Sequence, residues 1–340
     1  MSEKNPMIGM ARLSGLFGVS RQAWYKAMAQ QEQIDYEECI ILREVERIRA
    51  KMPRIGTDKL HYELLRRGIY AQWSIKMGRD KLNALLSKHG LLSKKERKRA
   101  KTTDSRHSFR KYSDLFKGRE ITGVNQAWVG DITYVPVWQG FSYLSLITDT
   151  YSRKIVGWHL SKDLSAKGCA EALKKAIAQA KRGKESKESK ESKGKVDFTG
   201  LIHHSDRGIQ YCSYEYTGIL KSEKIGISMT QSGDPYDNAL AERMNRIIKE
   251  EFLENRSFSS HEQAYAAIEK AIGVYNSEYP HGSLDYQTPN AVHVMPVAQS
   301  ATLKKRWSPP ARRETTKDIN KEKQQQNKQT IAPQRAAQGA

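Results

Sequence analysis

Asp131 in WVGDITYV, Asp206 in HHSDRGIQY and Glu242 in DNALAERMN are three acids in three different local settings. The first interrupts an apolar strand-like run. The second ends a short apolar run and precedes Arg207-Gly208, and the third lies in a helical pattern opening near Asp237. Their intervals are 75 residues (206 − 131) and 36 residues (242 − 206). Three carboxylates delivered by a strand, a strand end and a helix can converge on one point and hold Mg²⁺, which takes oxygen ligands and phosphate partners. Such a set suits phosphoryl transfer, the chemistry that cuts and rejoins a nucleic-acid backbone.

Taken singly, Asp131 reads as an edge or surface residue and Asp206 as a turn former or helix cap, so the case rests on convergence. An unpaired carboxylate buried in a strand costs several kcal/mol, on the order of what a bound metal would offset. Asp206 sits at a strand end beside a tight turn, where α/β sheets bind ligands. On the helix from Asp237, the residues Leu240, Met244, Ile247, Ile248 and Glu251 or Phe252 define an inward stripe. Asn238, Glu242, Asn245, Arg246 and Lys249 recur at i+4, i+7, i+8 and i+11 as a polar stripe. That stripe sets Arg246 and Lys249 one and two turns from Glu242, placed to hold a DNA backbone, with Asn238 in a supporting role. His204 is expected to support Asp206 or border the substrate, and His203 to finish a strand. A two-histidine metal nuclease is disfavoured, because adjacent histidines on a strand point to opposite faces. Asp149 reads as a strand-terminating turn residue and Asp237 as the helix N-cap.

The elements that must position these acids are legible from periodicity. Residues 127–137, 141–149 and 154–160 are rich in Val, Ile, Tyr, Trp and Thr and are separated by Gln139-Gly140 and Tyr151-Ser152-Arg153, so they read as three antiparallel strands. A helix over 165–182, a strand over 201–205, a helix over 214–224, a strand over 227–230 and helices from Asp237 and Ser260 follow. Together they match a ribonuclease H-like layout: an α/β fold with a mixed five-stranded sheet and helices on both faces, preceded by an all-α helix-turn-helix region.

That preceding region opens with two short helices around Gly18-Val19-Ser20, with Ser20 as N-cap and Arg21, Gln22 and Lys26 available to DNA; an ordinary helical hairpin fits the segment equally. A scaffolding helix is expected over 34–50, then a second pair over 57–67 and 74–89 turning at Gly68 and closed by Gly90, with Lys76, Arg79 and Asn83 outward. Five regions result: 1–52 and 53–93 as helical DNA-binding units, 94–120 as a basic linker, 121–298 as the core and 299–340 as a basic tail. The linker carries eleven Lys or Arg against three acids over 94–119 and reads as solvated, or as ordered only along DNA. The KESKESKESK repeat within 184–194 reads as a solvated insertion.

Composition agrees. A net charge of +20 on 340 residues implies a polyanionic partner to screen it, nucleic acid first. The three scattered cysteines argue against a disulfide framework or structural zinc and for a reducing compartment. No signal peptide or membrane span is expected, so a soluble, intracellular protein with no membrane partner is the natural reading.

The three acidic segments, with 35 residues between the second and third acids, resemble the retroviral integrase superfamily of Asp-Asp-Glu transposases, and in particular the OrfB-type transposases of bacterial insertion sequences. The resemblance runs from about Leu13 to Pro289. SRQAWYK, the helix pair over 54–92, SRKIVGWHL, YNSEYPH and LDYQTP look like further family features. One departure is Tyr279, where relatives usually carry arginine. The resemblance implies Asp131, Asp206 and Glu242 as catalytic ligands of two Mg²⁺ or Mn²⁺ ions. It also implies cleavage at the element's terminal inverted repeats, transfer of the 3′-hydroxyl into target DNA, and a multimer on double-stranded DNA in a bacterial cytoplasm. A fusion with an upstream helix-turn-helix partner is a further expectation. The rival readings are a catalytically silent DNA-binding regulator and a ribonuclease H-type or junction hydrolase.

Overall fold

The computed structural model describes residues 10–93, 108–138, 140–185, 197–231, 238–296 and 299. The Gln139 turn, most of the lysine-rich repeat, Asp237 and nearly all of the basic tail lie outside the described residues.

Strands β1 (Ala127–Val137), β2 (Gly140–Asp149), β3 (Ile155–Ser161), β4 (Ile202–Ser205) and β5 (Gly226–Met229) form one sheet in the order β3-β2-β1-β4-β5. The pairs β1–β2 and β2–β3 are antiparallel, whereas β1–β4 and β4–β5 are parallel. Alternation along the strands divides the core in two. Trp128, Ile147 and Val156 face one layer with Ala172, Leu173 and Tyr216, while Val135, Leu144 and Leu146 face Met244, Ile248 and Ile268. The first layer holds α6 (Ala166–Glu185), the short α7 (Ile209–Cys212) and α8 (Tyr214–Ser222). Gly157 lets α6 lie directly on β3, since a Cβ there would sit 2.3 Å from the Ala172 carbonyl oxygen.

On the opposite face, α9 (Ala239–Arg246) runs without a break into a π-helical turn (Ile247–Phe252), followed by α10 (His261–Ser277) and, after a 3₁₀ turn, α11 (Pro289–Val294). Four N-terminal helices join this same layer, α2 (Arg21–Arg49), α3 (Thr57–Arg66), α4 (Ile69–Gln72) and α5 (Arg79–Lys88), while the preceding α1 (Met10–Leu16) lies against α2. Ile41, Val45, Ile48, Leu60, Leu64 and Leu82 belong to one hydrophobic cluster with Val135, Met244, Ile272 and Tyr279. The boundary expected near residue 52 therefore falls inside a continuous core.

Several element ends differ from the sequence reading. The helix expected over 34–50 and the second arm of the first hairpin are one 29-residue helix, α2, capped as expected by Ser20, whose Oγ accepts the Ala23 N–H at 3.1 Å. The helix expected from Ser74 starts at Arg79. Ser74 takes a left-handed φ of 54°, and the Ile75 N–H closes back on the Tyr70 carbonyl, which leaves Lys76 ahead of the helix in irregular chain. The N-cap position of α9 is Asn238. The second half of the expected linker packs on the core: the Met229 N–H reaches the Ser113 carbonyl, the Leu115 N–H donates to Ser228 Oγ at 2.8 Å, and Gln231 donates to the Tyr112 carbonyl. Residues 112–115 thereby cover the β5 edge, which would otherwise present unpaired backbone groups. Among the described residues no helix is long and apolar enough to cross a membrane.

Candidate active site

Parallel pairing of β1 with β4 matches Ala127 to Ile202, Trp128 to His203 and Val129 to His204. Two steps further along the same register, residue 131 stands opposite residue 206, the first residue past β4. Neighbouring strands run about 4.8 Å apart, and register partners point to the same face, so backbone pairing alone makes Asp131 and Asp206 neighbours. Each carboxylate is half-buried and already oriented. Asp131 accepts from the Ile132 N–H at 2.9 Å and from Asn245 Nδ2 at 2.8 Å; Asp206 accepts the Gly208 N–H at 2.9 Å. Gly208 has an ordinary φ of −60°, but a Cβ on it would stand 2.9 Å from Asp206 Oδ1, so glycine is required there for space.

Glu242 arrives differently. It is exposed in the first turn of α9. Asn238, one turn before it, aims its amide at the Gly130 carbonyl at 3.4 Å, and Asn245, three residues after it, holds Asp131. The stripe carrying Glu242 thus crosses β1 beside Asp131, tied down on either side. Among the described residues the side-chain oxygens of Asn238 and Asn245 are buried without a hydrogen-bond partner. Electrostatics register the crowding. Burial, then the Asp206 charge, raises the Asp131 carboxyl to about 8, against the bonds from Ile132 and Asn245, with Glu242 adding to the rise. Among the described residues no three His, Cys, Asp or Glu side chains gather closely enough to hold a metal ion, and 232–237, which lead into α9, lie outside them. The donor set fits a hard divalent cation: carboxylates crowded enough to repel one another, with amide oxygens unsatisfied beside them.

Two models described as "Integrase core domain" match residues 122–235 and 223–289. An insertion element IS600 protein of 31 kDa from Shigella sonnei is 32% identical over 286 residues, 81% of this chain and 95% of its own length. The transposase for insertion sequence element IS629 from Shigella sonnei is 30% identical over 236 residues, 69% of this chain and 72% of its own. The chain belongs to the insertion-sequence transposases with an integrase core. A looser structural likeness, 20% identical with a TM-score of 0.37, is to the HTLV-2 integrase catalytic core domain in complex with magnesium, covering 50% of this chain and 97% of that one.

Other residues singled out for this transposase are scattered. Arg21 and Lys26 lie on the exposed first half of α2, and Lys76 is exposed ahead of α5. Arg79 is exposed but engaged with Asp80 at 3.0 Å and Asp58 at 3.8 Å. Arg246 is exposed at the end of α9, while Lys249 is half-buried in the π turn, with its ammonium pKa lowered by desolvation. The two histidines do part to opposite faces. His203 Nε2 lies 2.9 Å from the Tyr216 hydroxyl beneath Gly130, whose missing Cβ would crowd it at 2.9 Å. His204 lies in the seam with β5, its Nδ1 2.8 Å from Ser228 Oγ and 3.7 Å from Asp114, its ring tilted against Phe116. These contacts tie it to the 108–119 segment.

Asn245 escaped the sequence reading, which set it on an outward polar stripe; it is 5% exposed. Its position three residues after Glu242 was the available signal, because i and i+3 share a helix face. Leu240, expected inward, is only half-buried. The helix presents its polar stripe to the carboxylate on β1, and Met244, Ile247 and Ile248 fill the apolar layer.

Proposed function

We propose that this chain cleaves DNA strands at the ends of an insertion sequence and joins the freed 3′-hydroxyl to target DNA, using Asp131, Asp206 and Glu242 as ligands for two Mg²⁺ or Mn²⁺ ions. The observation that carries the reading is the in-register approach of Asp131 and Asp206 with the Glu242 stripe laid across β1. Bound there, divalent ions supply Lewis acidity that activates a water or 3′-hydroxyl and steadies the leaving oxygen.

The chain's own residues orient and hold. Asn245 fixes the Asp131 carboxylate through Oδ2, and the Gly208 N–H fixes Asp206, so both ligands are preorganised. Asn238 anchors the start of α9 on β1, a supporting role for Glu242. Arg246 and Lys249 follow Glu242 by one and two turns and hold the backbone of the strand being cut. Lys249 is desolvated in the π turn, and its charge is better satisfied by a phosphate than by water. Arg21, Lys26, Lys76 and Arg79 contact the terminal repeats, and the working form is a multimer on double-stranded DNA.

The deciding assay is Mg²⁺-dependent nicking and strand transfer on terminal-repeat DNA, comparing the native chain with Asp206→Asn. Activity in the native chain alone supports the reading. End binding with both proteins equally inert overturns it in favour of a silent regulator, and cutting of RNA hybrids or branched DNA without joining points to a hydrolase.

A further inference from the structure

Glu251 lies on the helix run that carries Glu242, is gripped by the N-terminal segment, and sits in an unusual turn. Over Ile247–Phe252 the helix is π-wound, with the Leu253 N–H donating to the Ile248 carbonyl five residues back at 3.0 Å. Each such turn takes in one residue more than an α turn. The part upstream, which carries Glu242, is thereby rotated by about 100° relative to the part downstream. A π turn is intrinsically poor and persists where contacts specify it.

Those contacts converge on Glu251 from the N-terminal segment and from Tyr279. Lys59, on α3, places Nζ 3.1 Å from Glu251 Oε2, and the Arg54 N–H donates to the Glu251 main-chain carbonyl at 3.0 Å. The Tyr279 hydroxyl donates to the same carboxylate and accepts from Lys59, whose ammonium also lies 4.2 Å from the Tyr279 ring centre. Tyr279 is fully buried, and the Lys59 and Glu251 side chains are 17% and 21% exposed. A nearly buried ammonium is tolerable only while paired. Lys59 in place therefore requires Glu251 in place, and Glu251 lies within the π turn. Tyr279 suits the cluster because it adds a hydroxyl and a ring face without a second buried cation.

We propose that Lys59 is a positioning residue for Glu242. Through Glu251 and the π turn, docking of the N-terminal helices sets the rotation at which the third carboxylate faces Asp131 and Asp206. Its catalytic consequence rests on the phosphoryl-transfer reading above; the helix geometry does not.

The test uses the full chain with Lys59→Met, Lys59→Arg and the near-isosteric Glu251→Gln. Three quantities are read: affinity for terminal-repeat DNA, the Mg²⁺ concentration giving half-maximal cleavage, and hydrogen exchange of the 247–252 amides. We expect Lys59→Met and Glu251→Gln to raise the Mg²⁺ requirement about tenfold, in the range seen when a ligand's supporting partner is removed. Exchange at 247–252 should accelerate roughly tenfold as the turn loosens. DNA affinity should stay within about twofold, and Lys59→Arg should restore most of the native behaviour. A fall in melting temperature or DNA affinity, with the Mg²⁺ requirement and exchange at 247–252 unchanged, overturns the proposal and leaves a plain packing contact. Should the native chain cut nothing, the functional reading fails on its own, and the exchange comparison still decides whether Lys59 governs the turn.

Discussion

Asp131 and Asp206 reach one another through backbone pairing, whereas Glu242 reaches them through side chains. The aspartates stand on adjacent strands whose register is locked by main-chain hydrogen bonds, and a slip of one residue would turn every side chain of the strand to the wrong face. Glu242 depends on two asparagine amides, a π turn and the contacts that hold it. On the proposed function, two ligands are thus built in when the sheet forms, and the third is adjustable. Under the proposed function, a last ligand on the element that answers to the rest of the molecule would confine cutting to assembled DNA ends.

The widest separation is expected between the ligands themselves. Asp206→Asn should abolish Mg²⁺-dependent cleavage, by roughly a thousandfold or more, as loss of transition-state charge stabilisation does elsewhere. Glu242→Gln should cost a similar factor in rate yet retain the divalent-cation binding of the aspartate pair, measurable by calorimetry. Equal loss of binding in both variants would erase the distinction between built-in and adjustable ligands.

Next come the residues that orient the ligands. Asn245→Ala frees Asp131 Oδ2 and should lower the cleavage rate about tenfold to a hundredfold, with the Mg²⁺ requirement raised. Gly208→Ala is compatible with its backbone angles but pushes on Asp206 Oδ1, so it should fold normally and lose about tenfold in rate. A folded, fully active Gly208→Ala protein would show that Asp206 needs no such space.

Stability against pH tests the burial of Asp131 and its crowding by Asp206 together. In the folded chain the Asp131 carboxyl keeps its proton up to about 8, but in the unfolded chain it releases it near 3.8. The folded state binds the extra proton between those values, so in EDTA the native protein should lose stability as pH rises from 4 towards 8. Asp131→Asn removes this loss and should melt a few degrees higher than the native chain at pH 8, about 3 °C or more, with little difference at pH 4. Added Mg²⁺ should raise the native melting temperature at pH 8 and leave the variant nearly unmoved. Parallel melting curves at every pH would show that neither burial nor the Asp206 charge raises the Asp131 carboxyl.

The smallest effect belongs far from the site. Ser20→Ala removes the cap of α2 and should cost about 1 kcal/mol, seen as faster amide exchange in the first turn of that helix, with no change in cleavage rate.

The strands were legible because apolar alternation is a local property: β1, β2 and β3 fall within a residue or so of the runs read from the sequence. What failed did so for non-local reasons. Ser74 looks like a helix start, yet the chain closes on Tyr70 and leaves Lys76 outside the helix. The basic segment before the core looks solvated, yet residues 112–115 cover a strand edge that exists only in the assembled sheet. Asn245 looks outward on a helical wheel, and nothing local says that a carboxylate on β1 lies above it.

From the chain alone came the identities of the three acids, the order of strands and helices, and the demand of a +20 chain for a polyanion. All of these follow from residue type and short-range spacing, which the unfolded chain already possesses. Only the folded molecule decided that the N-terminal helices share the core of the catalytic layer, that Asn245 holds Asp131, and that Lys59 meets Glu251 and Tyr279 across 192 and 220 residues of sequence. Those contacts exist because sheet and helices bury their apolar faces together. Burial brings polar groups from distant segments into a space where each must find a partner, and no periodicity in the sequence records which one it will be.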